Sequence, residues 1–466
     1  MAADHDYRRI ADRVADDIAS GRLRPGQQLP PQRVFARRRG IAASTAGRVY
    51  AELVRRGLVM GEVGRGTFVR AAAVGPNGRA LVERATTAPV NLELNYPSAP
   101  GQSELLAPAL APLLRADVLT EALRPASARG TRAGREAVAE LLGTPGGGVP
   151  VVPAWRPDPD RVLFTGNARQ AIAAALASLV RPGGRVGVEP LTYPLVKEIA
   201  GRLGLTLVAL EVDGEGLRPE SIGAAHRGAP LSALYLQPTL HNPTSVTTGE
   251  ARRREIAAAV RELDLPVVED RIWSFLHPGS PAPLVAHAPG LVHVVDGLSK
   301  RVAPGLTVGF LVVPEHRVDA VAAAVRSGGW SAGRFALEAA VRWMTDGTVE
   351  RLVAAKREDA SARQRLLAEE LDGFAVRSDP CAYYAWWELP APWRADTFTA
   401  AAAARGIAVT PGSAFGVDPK RTSDAVRLGL ASVDVADLRG ALRVLAGLAR
   451  CGGEGVGTPL PGGRIG

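Results

Sequence analysis

Two spacings of apolar residues divide this chain. In the first seventy positions they recur at helical intervals in short blocks: Ile10, Val14 and Ile18 predict a helix over 7–20 that Gly21 ends. A turn-rich connection spans 23–30. A second short helix is predicted over 31–39, with Val34 and Phe35 inward and Gly40 as its stop. A third opens at Ala43 or Ser44 and runs through Val49, Tyr50, Leu53 and Val54. Gly57, Leu58 and Val59 then lead into 60–69, which reads as a two-strand ribbon with Gly61, Gly64 and Gly66 at its turns. Residues 71–89, rich in Ala, Gly and Thr, carry no period and read as a flexible linker. From Asn91 onward, apolar runs at 161–164, 185–188, 231–236, 265–268, 291–295 and 308–313 alternate with Ala-rich amphipathic stretches such as 169–180, 194–201 and 251–263. That alternation predicts an α/β domain with a largely parallel sheet and helices on both faces, whose ligand sits at the carboxyl ends of the strands. The expected division is therefore 1–70, a linker over 71–89, one large domain over 90–450, and a disordered Gly-rich tail over 451–466.

Composition narrows the class. At 466 residues the chain is too long for one ordinary core, and 46% hydrophobic with 22% charged residues is typical of a soluble globular protein. The longest apolar run, 171–180, is too short for a bilayer, and no basic segment followed by an apolar one opens the chain, so neither a span nor a secretory leader is expected. Cys381 and Cys451 are the only cysteines, and the seven histidines show no paired ligand spacing. A cytoplasmic protein without disulfides or metal is the expectation. Charge placement says more. Residues 1–73 hold fourteen Arg, no Lys and seven Asp or Glu, a net +7 out of +9 for the whole chain. A basic excess confined to one small segment is the footprint of a phosphate-binding module.

The order of three helices and a hairpin comes with Gly21-Arg22-Leu23-Arg24-Pro25-Gly26, Leu29-Pro30, Arg33, Tyr50, Leu53, Gly57-Leu58-Val59 and Gly64-Arg65-Gly66-Thr67-Phe68-Val69. Together these resemble the winged helix-turn-helix of the GntR family. The resemblance implies a double-stranded DNA partner, with the third helix in the major groove and the wing at the minor groove. Arg33 and Arg48 would then meet phosphates or guanine edges, and Ser44 and Thr45 the DNA backbone. Gly66 and Thr67 belong to the wing, where a missing side chain permits close approach to the duplex. Ala43 stands where that family usually places an arginine, so base readout is expected to differ. A docking or dimerisation role for the same module is the alternative.

The larger part carries polar motifs in a fixed order. Thr165-Gly166-Asn167-Ala168-Arg169-Gln170 follows a predicted strand and opens a helix, whose unpaired amides and positive dipole end suit a phosphate. Then come Tyr193 in Glu189-Pro190-Leu191-Thr192-Tyr193-Pro194, Asn242 in His241-Asn242-Pro243-Thr244, and Asp270 at the end of a buried strand. Leu298-Ser299-Lys300-Arg301-Val302-Ala303-Pro304-Gly305-Leu306 and the late Val426-Arg427-Leu428-Gly429-Leu430 complete the series. Lysine is rare here, four residues against 52 arginines, so Lys300 is no random basic position. Taken singly, Asn242-Pro243 could be a turn, Asp270 a cap and Arg427 a structural ion pair. Jointly they resemble the class I/II aminotransferases, fold-type I enzymes dependent on pyridoxal 5'-phosphate.

That resemblance implies roles. Asn167, Ala168, Arg169 and Ser299 lie at the cofactor's phosphate, Tyr193 stacks on its pyridine ring, and Asn242 bonds its phenolic oxygen. Asp270 keeps the ring nitrogen protonated, Lys300 bonds the aldehyde carbon, and Arg427 receives a substrate or effector carboxylate with its planar fork. The chain departs from the pattern in places. Thr307 stands where an arginine usually holds the phosphate, leaving Arg301 or the Arg169 side chain to compensate. Trp273 replaces a tyrosine, Cys381-Ala382 replaces Gly-Gly, and no tyrosine occurs in 124–135. A loosened supporting shell favours ligand sensing over rapid turnover. Winged helix, linker and aminotransferase-like domain together resemble the MocR subfamily of GntR regulators. The subfamily implies a homodimer, domain-swapped in its usual form, which controls transcription in response to an amine, an amino acid or the cofactor. The alternatives are an active aminotransferase with an appended winged helix, or a cofactor-free regulator using the same pocket.

Overall fold

The computed structural model describes residues 3–19, 22–23, 27–55, 58–62, 66–69, 88–143, 155–306, 308–418 and 423–451. Gly21, Arg24-Pro25-Gly26, Gly57, Gly64, Arg65, most of the predicted linker, Thr307 and the tail from 452 lie outside the described residues.

The head has helices Ala3–Ala19, Gln32–Arg39 and Ala43–Arg55, then strands Val59–Glu62 and Gly66–Val69. Ile10, Val14, Phe35, Val49, Tyr50 and Leu53 share one small core, where Phe35 meets Tyr50 edge to face at 5.3 Å. The second helix ends at Gly40, whose φ of 63° is the left-handed cap that glycine adopts freely. Two expectations change. The 23–30 connection contains a third strand, Gln28–Leu29, paired antiparallel with Gly66–Val69. Val54 faces solvent, 43% exposed, because the face carrying Val49, Tyr50 and Leu53 is the inward one.

In the larger part, seven strands form one sheet in the order Val162–Thr165, Gly309–Val312, Val292–Gly297, Val267–Asp270, Ala233–Leu236, Arg185–Val188, Thr206–Ala209. All pairings are parallel except those of Gly309–Val312, which runs antiparallel to both neighbours. The alternation of side chains explains the nearly continuous apolar runs. Phe164, Leu234, Val267 and Val294 pack on one face, while Leu163, Tyr235, Val268 and Val295 pack on the other. Thr206–Ala209, a partly covered edge strand, lies outside the predicted set although 205–210 is itself a largely apolar run.

A smaller layer follows, an antiparallel sheet ordered Val376–Ser378, Tyr384–Glu388, Ala425–Gly429, Thr410–Pro411. The 23-residue helix Thr348–Glu370 connects the two layers. Its Gln364 donates to the carbonyls of Ala382 and Tyr384 at the edge of the smaller sheet, and Arg363 donates to Leu430 and Val433. The first described segment of this part, Val90–Asn91, pairs parallel with Ile407–Ala408 and so enters beside the smaller sheet. Among the described residues no helix is long and apolar enough to cross a membrane, and no cluster suits a metal ion.

Candidate functional site

The carboxyl ends of the central strands open into a cavity of about 180 Å3. Its phosphate-like corner is built first by the turn after Val162–Thr165. Asn167 caps the Ala168–Leu179 helix by accepting from the Gln170 amide at 3.0 Å. The first-turn amides, which have no intrahelical acceptor, are thereby left at the positive end of the helix. Gly309 lets the neighbouring strand pass under this turn, since a Cβ there would lie 2.2 Å from the Asn167 carbonyl carbon. Arg169 lines the cavity with an exposed side chain, and Ser299 lines it from the opposite element.

Lys300 sits on the four-residue helix Leu298–Arg301, directly after the buried strand Val292–Gly297. Its Nζ donates to the Asn95 carbonyl at 2.6 Å and lies 4.2 Å from the Tyr96 ring centroid and 5.0 Å from that of Trp273. Burial pushes its ammonium down to about 7, helped by the positive charges of Arg427, Arg169 and Lys356. A second lysine supports the first. Lys356, fully buried on the Thr348–Glu370 helix, donates to the carbonyls of Lys300, Arg301 and Val302 at 3.1, 2.9 and 2.8 Å. It therefore closes the end of the short helix that carries Lys300.

Asp270 ends its strand buried under the cavity, accepting from Tyr235 Oη at 2.6 Å and from the Ile272 amide at 3.0 Å. Burial raises its carboxyl to about 6. Asn242 also lines the cavity, and its buried Oδ1 has no partner among the described residues. Tyr193 opens the Pro194–Arg202 helix at the wall, and Trp273 packs against Phe275 and Tyr384 beside Lys300. Arg427 is buried on the smaller sheet. Its Nη2 donates to the Glu93 carbonyl at 2.5 Å and to Thr410 Oγ1 at 3.1 Å, while its Nε has no partner among the described residues. Burial lowers its guanidinium to about 10.

All the residues expected to meet a cofactor or effector thus line one cavity: Asn167, Ala168, Arg169, Tyr193, Asn242, Asp270, Trp273, Ser299, Lys300 and Arg427. Arg301 does not join them. Its guanidinium is buried in a two-pronged pair with Asp296 and stacks near Phe275, so it is already committed. Of the two arginines offered in place of the missing one, only Arg169 lines the cavity. The sequence reading missed Glu93, Asn95 and Tyr96 on the cavity wall, Tyr235 beneath Asp270, and Lys356. Only Lys356 left a signal, as one of four lysines in an arginine-rich chain.

On the head, Arg33 and Ser44 are exposed, while Thr45 and Thr67 are half-buried. Arg48 is exposed as well, its guanidinium 4.4 Å from the Tyr7 ring centroid on the first helix. Gly66 is glycine for a reason within the head itself. Its φ is 119°, and a Cβ would sit 2.4 Å from the Gln28 side chain.

Residues 113–445 match the aminotransferase class I and II family, and residues 6–69 match the gntR family of bacterial regulatory proteins. An uncharacterised HTH-type transcriptional regulator of Bacillus subtilis, YdeF, is 28% identical over 91% of this chain and 90% of its own length. The HTH-type transcriptional regulator TauR of Rhodobacter capsulatus is 28% identical over 68% of this chain and 69% of its own. Among solved structures, an archaeal alanine:glyoxylate aminotransferase superposes with a TM-score of 0.70 at 20% identity, covering 78% of this chain and 90% of that one. Kynurenine aminotransferase from Pyrococcus horikoshii does so at 0.70 and 22%, covering 78% and 91%. These structural likenesses establish the fold of the larger part.

Proposed function

Because this chain belongs to the aminotransferase class I and II family and joins it to a gntR-family head, we propose that it is a transcriptional regulator of the MocR type. It binds double-stranded DNA through the head and senses an amine or amino acid through pyridoxal phosphate in the larger domain. One observation carries this reading: a cavity that gathers Lys300, Asp270, Asn242, Tyr193 and Arg427 lies in the same chain as a winged helix, and relatives named as regulators span both parts. The division into a head to residue 70, a linker to 89 and a sensing domain from 90 follows the same reading.

The family's cofactor is pyridoxal phosphate, and the cavity fits it. Asn242 Oδ1 and Arg427 Nε are buried polar atoms with no partner among the described residues, and both residues line the cavity, where a ligand or water can satisfy them. Arg169, Ser299 and the amides of Ala168 and Arg169 would hold the phosphate. Tyr193 and Trp273 would flank the ring, Asn242 would bond its phenolic oxygen, and Asp270 would hold a proton at the pyridine nitrogen. When bound, the group supplies an electron-withdrawing ring that stabilises negative charge beside an amine nitrogen. Lys300 can hold it covalently only as the neutral amine. Because burial brings that ammonium down to about 7, cofactor retention is expected to strengthen as pH rises through that value and then level off. Absorbance after dialysis across pH of about 5.5 to 11 checks this, a range that takes in the ordinary lysine value. An inflection near the ordinary lysine value would show that the site does not perturb Lys300.

Effector binding moves the DNA heads only if the two arrangements bind effector with different affinity. A homodimer provides two heads, and the exposed Leu114 and Leu123, 71% and 73% accessible, suit a second copy of this chain. A working aminotransferase is the second reading, favoured by the same lowered Lys300 ammonium. Consumption of a keto acid dependent on an amino donor would support it.

The regulator reading is tested by fluorescence anisotropy on DNA upstream of the protein's own gene, with and without pyridoxal phosphate, at fixed salt and against a random duplex. Tighter binding than to the random duplex, shifted by the cofactor, is expected. Equal affinity for the two duplexes would count against a role at that promoter and bring the transamination assay forward.

A further inference from the structure

The short segment 93–96 runs between the two layers and is bonded to both. On the smaller layer, Arg427 Nη2 takes the Glu93 carbonyl at 2.5 Å, and Asn95 Oδ1 accepts from the Ala431 amide at 3.2 Å. The Tyr96 amide donates to Ser432 Oγ at 2.8 Å, and the Leu92 carbonyl just ahead accepts from the Gly429 amide at 2.7 Å. Gly429 lets the segment lie this close, since a Cβ there would stand 2.5 Å from the Leu94 carbonyl oxygen. On the larger layer the hold is Lys300. Its Nζ donates to the Asn95 carbonyl at 2.6 Å and lies 4.2 Å from the Tyr96 ring centroid. Asn95 is buried, and among the described residues no other donor meets its carbonyl.

That grip uses hydrogens which cofactor chemistry removes. When the neutral Lys300 amine bonds an aldehyde carbon, the carbonyl oxygen leaves as water and takes both amine hydrogens with it. A C=N nitrogen that is protonated has one hydrogen, and the neighbouring phenolic oxygen of pyridoxal phosphate accepts it. Lys300 then has no hydrogen for Asn95. A buried carbonyl left without a donor is costly until the segment shifts or admits water.

We propose that 93–96 is a strap tying the smaller layer to the Lys300 amine, and that covalent capture of this amine by the pyridoxal phosphate aldehyde releases it. This rests on the cofactor reading above and names how occupancy of that site is passed to the smaller layer. It also supplies the two arrangements that sensing requires. An effector amine that takes over the cofactor carbon passes its two hydrogens to the Lys300 nitrogen. The freed amine can then grip Asn95 again.

Hydrogen exchange of the full chain, read by mass spectrometry, tests this by comparing pyridoxal phosphate with pyridoxamine phosphate. The second group fills the same cavity but has an amine in place of the aldehyde, so Lys300 stays free and the strap stays fastened. The amides of Glu93, Leu94 and Tyr96 are expected to exchange about twofold to tenfold faster with pyridoxal phosphate, the change that loss of one ordinary hydrogen bond produces. The Val90 and Leu92 amides, bonded to the Gly406 and Ala408 carbonyls at the root of the strap, are the internal reference and should not change. In Lys300→Ala the strap amides should exchange equally fast with either group. Equal exchange in the unmodified protein, slower exchange with pyridoxal phosphate, or a difference that survives Lys300→Ala overturns the strap. Borohydride reduction and peptide mass report attachment in the same samples. If pyridoxal phosphate attaches and the amides do not respond, only the strap fails. If it does not attach to Lys300, the cofactor reading fails with it.

Discussion

Replacing Lys300 with alanine is expected to abolish covalent retention of pyridoxal phosphate and the response to any amine effector, while leaving DNA binding intact. The expectation follows from where the side chain sits. Its Nζ emerges between the Tyr96 and Trp273 rings at the cavity wall, held by the Asn95 carbonyl. The other lysines described are occupied at carbonyls elsewhere: Lys197 at those of Ala414 and Gly416, and Lys356 beneath the Lys300 helix. Neither lines the cavity, so neither can substitute. Borohydride reduction followed by peptide mass analysis should locate one cofactor on Lys300 in the unmodified protein and none in the variant. Anisotropy should give the same affinity for DNA in both, because the head's core of Ile10, Val14, Phe35, Tyr50 and Leu53 is its own. An effector response that survives in the variant would remove Lys300 from the mechanism. Loss of DNA affinity in the variant would show instead that cofactor attachment is structural for the dimer.

How much of this could be read from the chain depends on how locally each feature is encoded. Lys300, Asp270 and Asn167 each sit where a strand hands over to a turn or helix, so a short stretch of sequence already sets their position at the carboxyl edge. The head was legible for the same reason, since its helices carry their own period and Gly40 caps the second of them, although Gly61, expected at a turn, lies within the strand Val59–Glu62. Glu93, Asn95 and Tyr96 were not. They lie in an extended segment without period and reach the cavity through contacts 205 and 334 positions away, Lys300 to Asn95 and Arg427 to Glu93. Arg301 misled for a related reason. Its place beside Lys300 suggested a phosphate ligand, whereas the acid that claims it, Asp296, lies five residues back on the preceding strand. Spacing along the chain shows which residues are near one another, but not which of two neighbouring charges is already paired.

Lys356→Met is the substitution expected to separate support of the site from chemistry in it. A four-residue helix has little internal hydrogen bonding, so Leu298–Arg301 depends on outside partners for its orientation. Lys356 supplies three such bonds at once, to consecutive carbonyls, from a side chain with no exposed surface. Burial pushes the Lys356 ammonium down to about 7, and the three carbonyl oxygens oppose this by accepting from the charged form. Methionine fills similar space without a donor, and each carbonyl left dry costs about 1–3 kcal/mol. A clear fall in Tm is therefore expected. Two further effects distinguish positioning from bulk stability. Without the nearby positive charge, the Lys300 ammonium should hold its proton more firmly, moving the pH at which cofactor retention strengthens upward from about 7. Lys356→Arg should restore much of the stability by restoring donors, but its planar fork cannot point three hydrogens at three stacked carbonyls as a tetrahedral ammonium does. It should therefore recover Tm more fully than cofactor affinity. A Lys356→Met protein with lowered Tm but an unshifted pH profile would limit Lys356 to holding the helix end.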